Sequence, residues 1–172
     1  FDACFIALHG GAGEDGRIQR RLELLRGPYT GSGPAASRLA MSKSASKERF
    51  LQAGISTSPY VLFQAGDPPE QVIRRVQELG YPLVLKPDSQ GSSLGVCVVE
   101  DPSRLAFGLE EVRRFDNYVL AESYVQGREF TVAVMGIVTL PPSGASEPFQ
   151  FAGLPAVVAV PLVALALTRV RV

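Results

Sequence analysis

Leu83-Val84-Leu85-Lys86-Pro87-Asp88-Ser89-Gln90-Gly91-Ser92-Ser93-Leu94-Gly95 is the stretch on which the fold of this chain turns. Apolar, β-prone residues end in a lysine, and a small, polar, glycine-containing loop leads back into Val96-Cys97-Val98-Val99. The pattern predicts one cation fixed at a strand end, beside backbone N–H groups and hydroxyls able to cover a polyphosphate. It is not a Walker A loop, because no Gly-Lys-Ser/Thr opens a helix here. Lys86 is also one of only three lysines, with Lys43 and Lys47, among seventeen basic residues. A solvent-facing lysine beside an ordinary hairpin turn is the plain alternative.

Outward from this hairpin, residues 82–86 and 95–100 read as antiparallel partners, with further strands at 1–8, 59–63, 118–122 and 129–135. Helices are predicted over 17–25, 35–41, 43–53, 70–79 and 104–115. The first should bury Ile18, Leu22 and Leu25, and the fourth Val72, Ile73, Val76 and Leu79, with Gly80 as its cap. Alternating strands and helices imply an α/β or α+β architecture in packed layers. No internal repeat is present.

The 172 residues are enough for one full domain or two small ones, and 46% hydrophobic content with zero formal net charge is ordinary for a globular protein. Neutral balance speaks against nucleic-acid or anionic-membrane binding by bulk charge. Cys4 and Cys97 lie in apolar, strand-like runs and read as buried, reduced thiols. One histidine and two distant cysteines make no zinc site. No signal peptide is visible, and the opening strand reads as a cut through a domain. Beyond Glu147 there is no acidic residue, and 151–167 is almost wholly Ala, Val, Leu and Pro. Pro155 and Pro161 interrupt that tail, which falls short of the ~20 apolar residues a bilayer span needs. A membrane anchor, a buried strand or helix pair, and non-native sequence are the readings open for it.

Five motifs, taken in order, resemble the D-alanine–D-alanine ligase family of ATP-grasp enzymes. They are Phe5-Ile6-Ala7-Leu8-His9-Gly10-Gly11, Gly13-Glu14-Asp15-Gly16, Pro28-Tyr29-Thr30-Gly31-Ser32-Gly33, Leu85-Lys86-Pro87 with Gly91-Ser92-Ser93-Leu94-Gly95, and Gly127-Arg128-Glu129-Phe130-Thr131-Val132. The resemblance ends near Phe149. It implies an α/β ATP-grasp fragment: a partial N-terminal substrate domain (1–40), a central α+β lid domain (41–125), the start of a C-terminal domain (126–149) and a divergent tail (150–172).

The chemistry so implied is ATP-dependent joining of two D-alanines through an acyl phosphate, in peptidoglycan precursor synthesis in the cytoplasm, with a homodimer possible. Lys86 and Lys43 match the family's phosphate-proximal lysines. The family's usual Met-Asp-Lys is Met41-Ser42-Lys43 here, so the departure at Ser42 removes a carboxylate. Gly91, Ser92, Ser93 and Gly95 would form the lid over the triphosphate, Ser92 lying also near the substrate. Glu122, with the Ser123 and Val125 backbones, would read adenine, and Glu129 the ribose hydroxyls. His9 matches the histidine beside the first D-alanine; a satisfied structural histidine is the alternative. Glu14 and Asp15 need no role beyond capping the next helix, and solvated rim charges are the alternative for Glu122 and Glu129.

The resemblance also calls for Mg²⁺, yet the acids that would hold it, the transition-state arginine and the later closing loop have no match in this sequence. The expectation is therefore a truncated or inactive copy. Its rivals are a non-catalytic nucleotide-binding remnant, a D-alanine–D-lactate or D-alanine–D-serine ligase, and a carboxylate–amine ligase of purine or cofactor synthesis.

Overall fold

The computed structural model describes residues 2–64 and 66–128. The expected strand at 129–135, Glu129 and the apolar tail lie outside them.

The chain opens with an extended segment, and three helices follow: α1 (Arg17–Leu24), α2 (Pro34–Met41) and α3 (Lys43–Gln52). Then come β1 (Tyr60–Gln64), α4 (Pro69–Gln77), β2 (Leu83–Pro87), β3 (Cys97–Val99), α5 (Leu105–Arg113) and β4 (Tyr118–Ser123). The strands form one antiparallel sheet in the order β1-β4-β2-β3. The expected strand at 1–8 is not part of it. That segment makes one isolated parallel bridge, Cys4 to Tyr29, with Cys4 N–H donating to the Pro28 carbonyl at 2.8 Å. Both cysteines are free and half-buried, not buried as expected.

Period-two alternation sorts the sheet into two faces. Leu83, Leu85, Val119 and Ala121 point to the face covered by α4 and α5, where they meet Val72, Val76, Leu105, Leu109 and Val112 in the core. Ile73 was expected in that core but is 39% exposed, and Leu25, expected on the inner face of α1, is 72% exposed. Helix α1 closes one residue early and buries Leu22, as expected, together with Gln19. Gly16 precedes α1 at φ +89°, where a Cβ would run into the Pro34 carbonyl, so glycine lets α1 and α2 approach. The opposite face of the sheet presents Val84, Lys86, Leu120 and Glu122, by the same alternation.

Candidate functional site

Strand register brings the first pair together. Glu122 of β4 stands opposite Val84 of β2, and Lys86 stands opposite Leu120. Lys86 and Glu122 are therefore diagonal neighbours on one face, within reach of long side chains. The Lys86 ammonium pairs with Glu122 Oε1. Glu122 Oε2 pairs with Lys47 Nζ at 2.9 Å and accepts from the Ser58 hydroxyl at 3.2 Å. Burial alone would push the Glu122 carboxyl up, but the Lys86 and Lys47 ammoniums beside it prevail and hold it below its ordinary value.

Helix α3 supplies the other two lysines, one turn apart. Lys43 Nζ donates to the carbonyls of Pro87 at 2.8 Å, Asp88 at 3.3 Å and Gln90 at 2.7 Å. It thereby ties the base of the Gly91–Gly95 loop to α3. Lys47 Nζ donates to Thr57 Oγ1 at 2.7 Å and to the Ser58 carbonyl at 3.1 Å and hydroxyl at 3.0 Å, besides pairing with Glu122. Burial lowers the ammonium pKa of both. Lys86 and Lys47 thus share one carboxylate, an ion cluster that keeps a net positive charge, and Lys43 stands one helical turn from Lys47. Lys86 is the only one of them whose ammonium has a single partner among the described residues, leaving two of its three N–H groups unspent.

A carboxylate nonetheless stands beside Ser42. Asp88, 6% exposed, accepts from Ser42 Oγ at 2.7 Å and from the Ser44 backbone at 2.8 Å. Sequence reading passed over both Asp88 and Lys47. The available signal was the scarcity of lysine, together with the small Ser44 and Ser46 that flank Lys47 and are buried with it.

The loop above the cluster turns through Ser92 and Ser93, both at positive φ (+52° and +57°), closed by a Leu94 N–H to Gly91 carbonyl bond of 3.1 Å. Ser92 Oγ lies 2.7 Å from His9 Nε2, and His9 Nδ1 lies 3.2 Å from Glu14 Oε1. Glu14 therefore orients His9, while Asp15 alone holds the start of α1, accepting from the Arg17 N–H at 3.0 Å. The structure brings His9, Ser92 and Gly91 into one neighbourhood, and Lys43, Lys86 and Glu122 into another at the loop's base. The Ser123 N–H is committed to the Pro59 carbonyl at 3.0 Å and its hydroxyl to the Leu79 carbonyl at 3.1 Å. Its side chain and amide are thus spent within the fold. Val125 follows β4 half-buried, and Glu129 lies outside the described residues.

Among the described residues no three His, Cys, Asp or Glu side chains stand together as a metal site. Glu122 is already engaged by two ammoniums, so this cluster does not fit Mg²⁺. No helix among the described residues is long and apolar enough to cross a membrane.

A cationic, buried cluster beneath a serine-glycine loop is suited to an anionic ligand. The family model for the D-ala D-ala ligase C-terminus matches residues 50–147, more than half of the chain. A D-alanine–D-alanine ligase of Trichlorobacter lovleyi is 47% identical over 146 residues, covering 85% of this chain and 45% of that protein. The Bacillus anthracis D-alanine–D-alanine ligase superposes at TM-score 0.70 with 39% identity, covering 75% of this chain and 42% of that one. Its complex with ATP gives TM-score 0.66 and 36% identity over the same shares, 75% and 42%. The VanG D-Ala:D-Ser ligase of Enterococcus faecalis superposes at TM-score 0.70 with 33% identity, over 74% of this chain and 37% of that one. The chain spans about half the length of the curated relatives it matches, 45% and 47% for the first two. With that family model matched over more than half of its length, the chain belongs to the D-alanine–D-alanine ligase family.

Proposed function

We propose that the chain is the nucleotide-gripping part of an ATP-dependent ligase joining two D-alanines. The carboxylate of the first takes the γ-phosphate, and the amino group of the second attacks the acyl carbon and displaces phosphate. The observation that carries this reading is the placing of Lys43 and Lys86 at the base of the Gly91–Gly95 loop, Lys86 keeping N–H donors to spare among the described residues.

Each residue then has a task set by its surroundings. Lys86 gives its unspent N–H groups to phosphate oxygens, for which a point charge suffices. Lys43 has no donor left over; it anchors the loop and adds positive field at close range. Ser92 and Ser93 offer hydroxyls, and Gly91 and Gly95 let the backbone fold over the phosphates. A carboxylate has about four lone-pair sites, and Glu122 uses three here, so one remains for the adenine amino group. The backbones of Ser123, through its carbonyl, and Val125 would complete the adenine edge, and Glu129 would take the ribose. His9, oriented by Glu14, and Ser92 would face the first D-alanine.

In this reading residues 1–40 belong to a substrate domain, 41–125 to the lid domain and 126–149 to the start of a third. The enzyme would be cytoplasmic and able to dimerise. Magnesium would accompany the nucleotide, held by acids other than the described ones. D-serine in place of the second D-alanine is the second reading, favoured by the likeness to the VanG enzyme.

Titration of ATP into the chain by calorimetry tests the nucleotide assignment. Saturable binding is expected, weakened roughly tenfold or more by Lys86→Ala. Equal binding by the variant, or none by the parent, removes the assignment. Phosphate release that depends on D-alanine, or on D-alanine with D-serine, tests the ligation step and its second substrate.

A further inference from the structure

Lys47 has every mark of a functional lysine except access. It is 4% exposed, and its ammonium meets four acceptor atoms on Thr57, Ser58 and Glu122, one more than its three N–H groups. Its charge also sits 5.2 Å from the centre of the Tyr60 ring. Such a group cannot reach a ligand. It can set what its partner does.

Glu122 is that partner. One oxygen is held by Lys47 and Ser58, and the other faces Lys86. With Oε2 taken, Glu122 can give Lys86 only a one-point pair. If Lys47 were absent, both oxygens could turn to Lys86, and the carboxylate charge would be cancelled by Lys86 alone. Lys86 would then be drawn inward and its net field at the loop reduced. We propose that Lys47 is a positioning residue that holds the second oxygen of Glu122, Oε2, off Lys86 and so keeps Lys86 available to an anionic ligand, the triphosphate of ATP. This rests on the nucleotide reading above.

The test compares the affinities of ATP and adenosine for the full chain, because their ratio isolates the phosphate contribution and cancels any change at the adenine edge. Lys47→Met is expected to cut the ATP-to-adenosine ratio by roughly tenfold, the scale of one unit charge lost at partly screened range. Lys47→Met combined with Glu122→Gln is expected to recover most of that ratio, since a neutral amide does not capture Lys86. A purely structural Lys47 would weaken both ligands together and would not be rescued. An unchanged ratio in Lys47→Met, or no recovery in the double variant, overturns the proposal.

Should Lys47→Met fail to fold, ¹⁵N-lysine NMR on the unsubstituted chain decides the matter, since three lysines give three side-chain signals, assigned with Lys43→Arg and Lys86→Arg. ATP should shift the Lys86 ammonium strongly and leave that of Lys47 nearly in place. An equal shift of Lys47 would make it a direct ligand and defeat the positioning role. Failure of ATP to bind the parent chain at all would instead remove the nucleotide reading, which separates the two outcomes.

Discussion

Asp88 and Ser42 are joined across the fold: the Ser42 hydroxyl donates to Asp88 Oδ2 at 2.7 Å, while Asp88 Oδ1 accepts the Ser44 N–H at 2.8 Å. A strand-end residue thus does the work of a helix cap, and its charge favours the N-terminus of α3. The serine at position 42 joins in, accepting from the Ala45 N–H at 3.2 Å. Because α3 carries Lys43 and Lys47, this contact sets where two of the three lysines stand.

Asp88→Ala should therefore cost about 1–3 kcal/mol in folding free energy, through a lost cap and buried donors left unpaired. Asp88→Asn keeps a carbonyl oxygen for the Ser44 N–H and should cost clearly less. Urea unfolding of the two variants beside the parent measures both. Equal midpoints for Asp88→Ala and the parent would show that the contact contributes nothing.

Removing Glu122 should be far more damaging than removing a surface acid. Glu122→Ala leaves the buried Lys47 without its counter-charge, a change that typically costs about 3–5 kcal/mol. Arg114 pairs with Glu111 at 3.0 Å but with its side chain 61% exposed, so Arg114→Ala should stay within about 0.5–1 kcal/mol. The comparison is read from denaturant midpoints at neutral pH. Similar losses for both variants would contradict the buried character of the cluster.

How far the sequence carried the reading differs between the faces of the sheet. The helix-facing side was legible, because Leu83, Leu85, Val119 and Ala121 alternate with residues of the other face, and Val72 and Val76 repeat at helical spacing. The charged face was legible only at Lys86 and Glu122, which end apolar runs. Helix α3 hid its role because its buried face is Ser44, Ser46 and Lys47. Periodicity arguments register apolar residues, so a polar inner face passes unseen. Asp88 read as a turn residue for the same reason. The segment at 1–8 has strand composition, but composition does not reveal whether a neighbouring strand exists to pair with, and only Cys4 finds one.

Acid should destabilise the chain through Glu122. Its carboxyl is held below the ordinary value in the folded state, so between that lowered pKa and the unfolded one the unfolded chain binds more protons. The stabilisation is complete above about pH 4–5 and is lost as pH falls through the folded pKa. Lys47 and Lys43 are shifted down as well, so their burial is relieved as pH rises towards the unfolded lysine value, and stability gains there. Thermal midpoints recorded between pH 3 and 7 should fall more steeply for the parent than for Glu122→Gln. Parallel curves would remove Glu122 from the account.

The two glycines that bound the loop should behave oppositely on substitution. Gly95 adopts φ +70°, and a Cβ there would lie 2.6 Å from Phe115 Cδ2 and 2.8 Å from Pro87 Cγ. Gly95→Ala therefore meets a left-handed backbone and a steric conflict at once, and about 1–3 kcal/mol of destabilisation is expected. At Gly91 the same Cβ would meet only Glu14 Oε2 at 3.6 Å and Met41 Cε at 3.8 Å, ordinary contacts. Gly91→Ala should consequently unfold with the parent's midpoint to within about 0.5 kcal/mol. If it nonetheless weakens ATP binding, the effect belongs to close approach of the ligand and not to the fold. A Gly91→Ala chain that loses stability as Gly95→Ala does would mean that the loop's entry is held as rigidly as its exit, which its half-buried position between Glu14 and Met41 does not require.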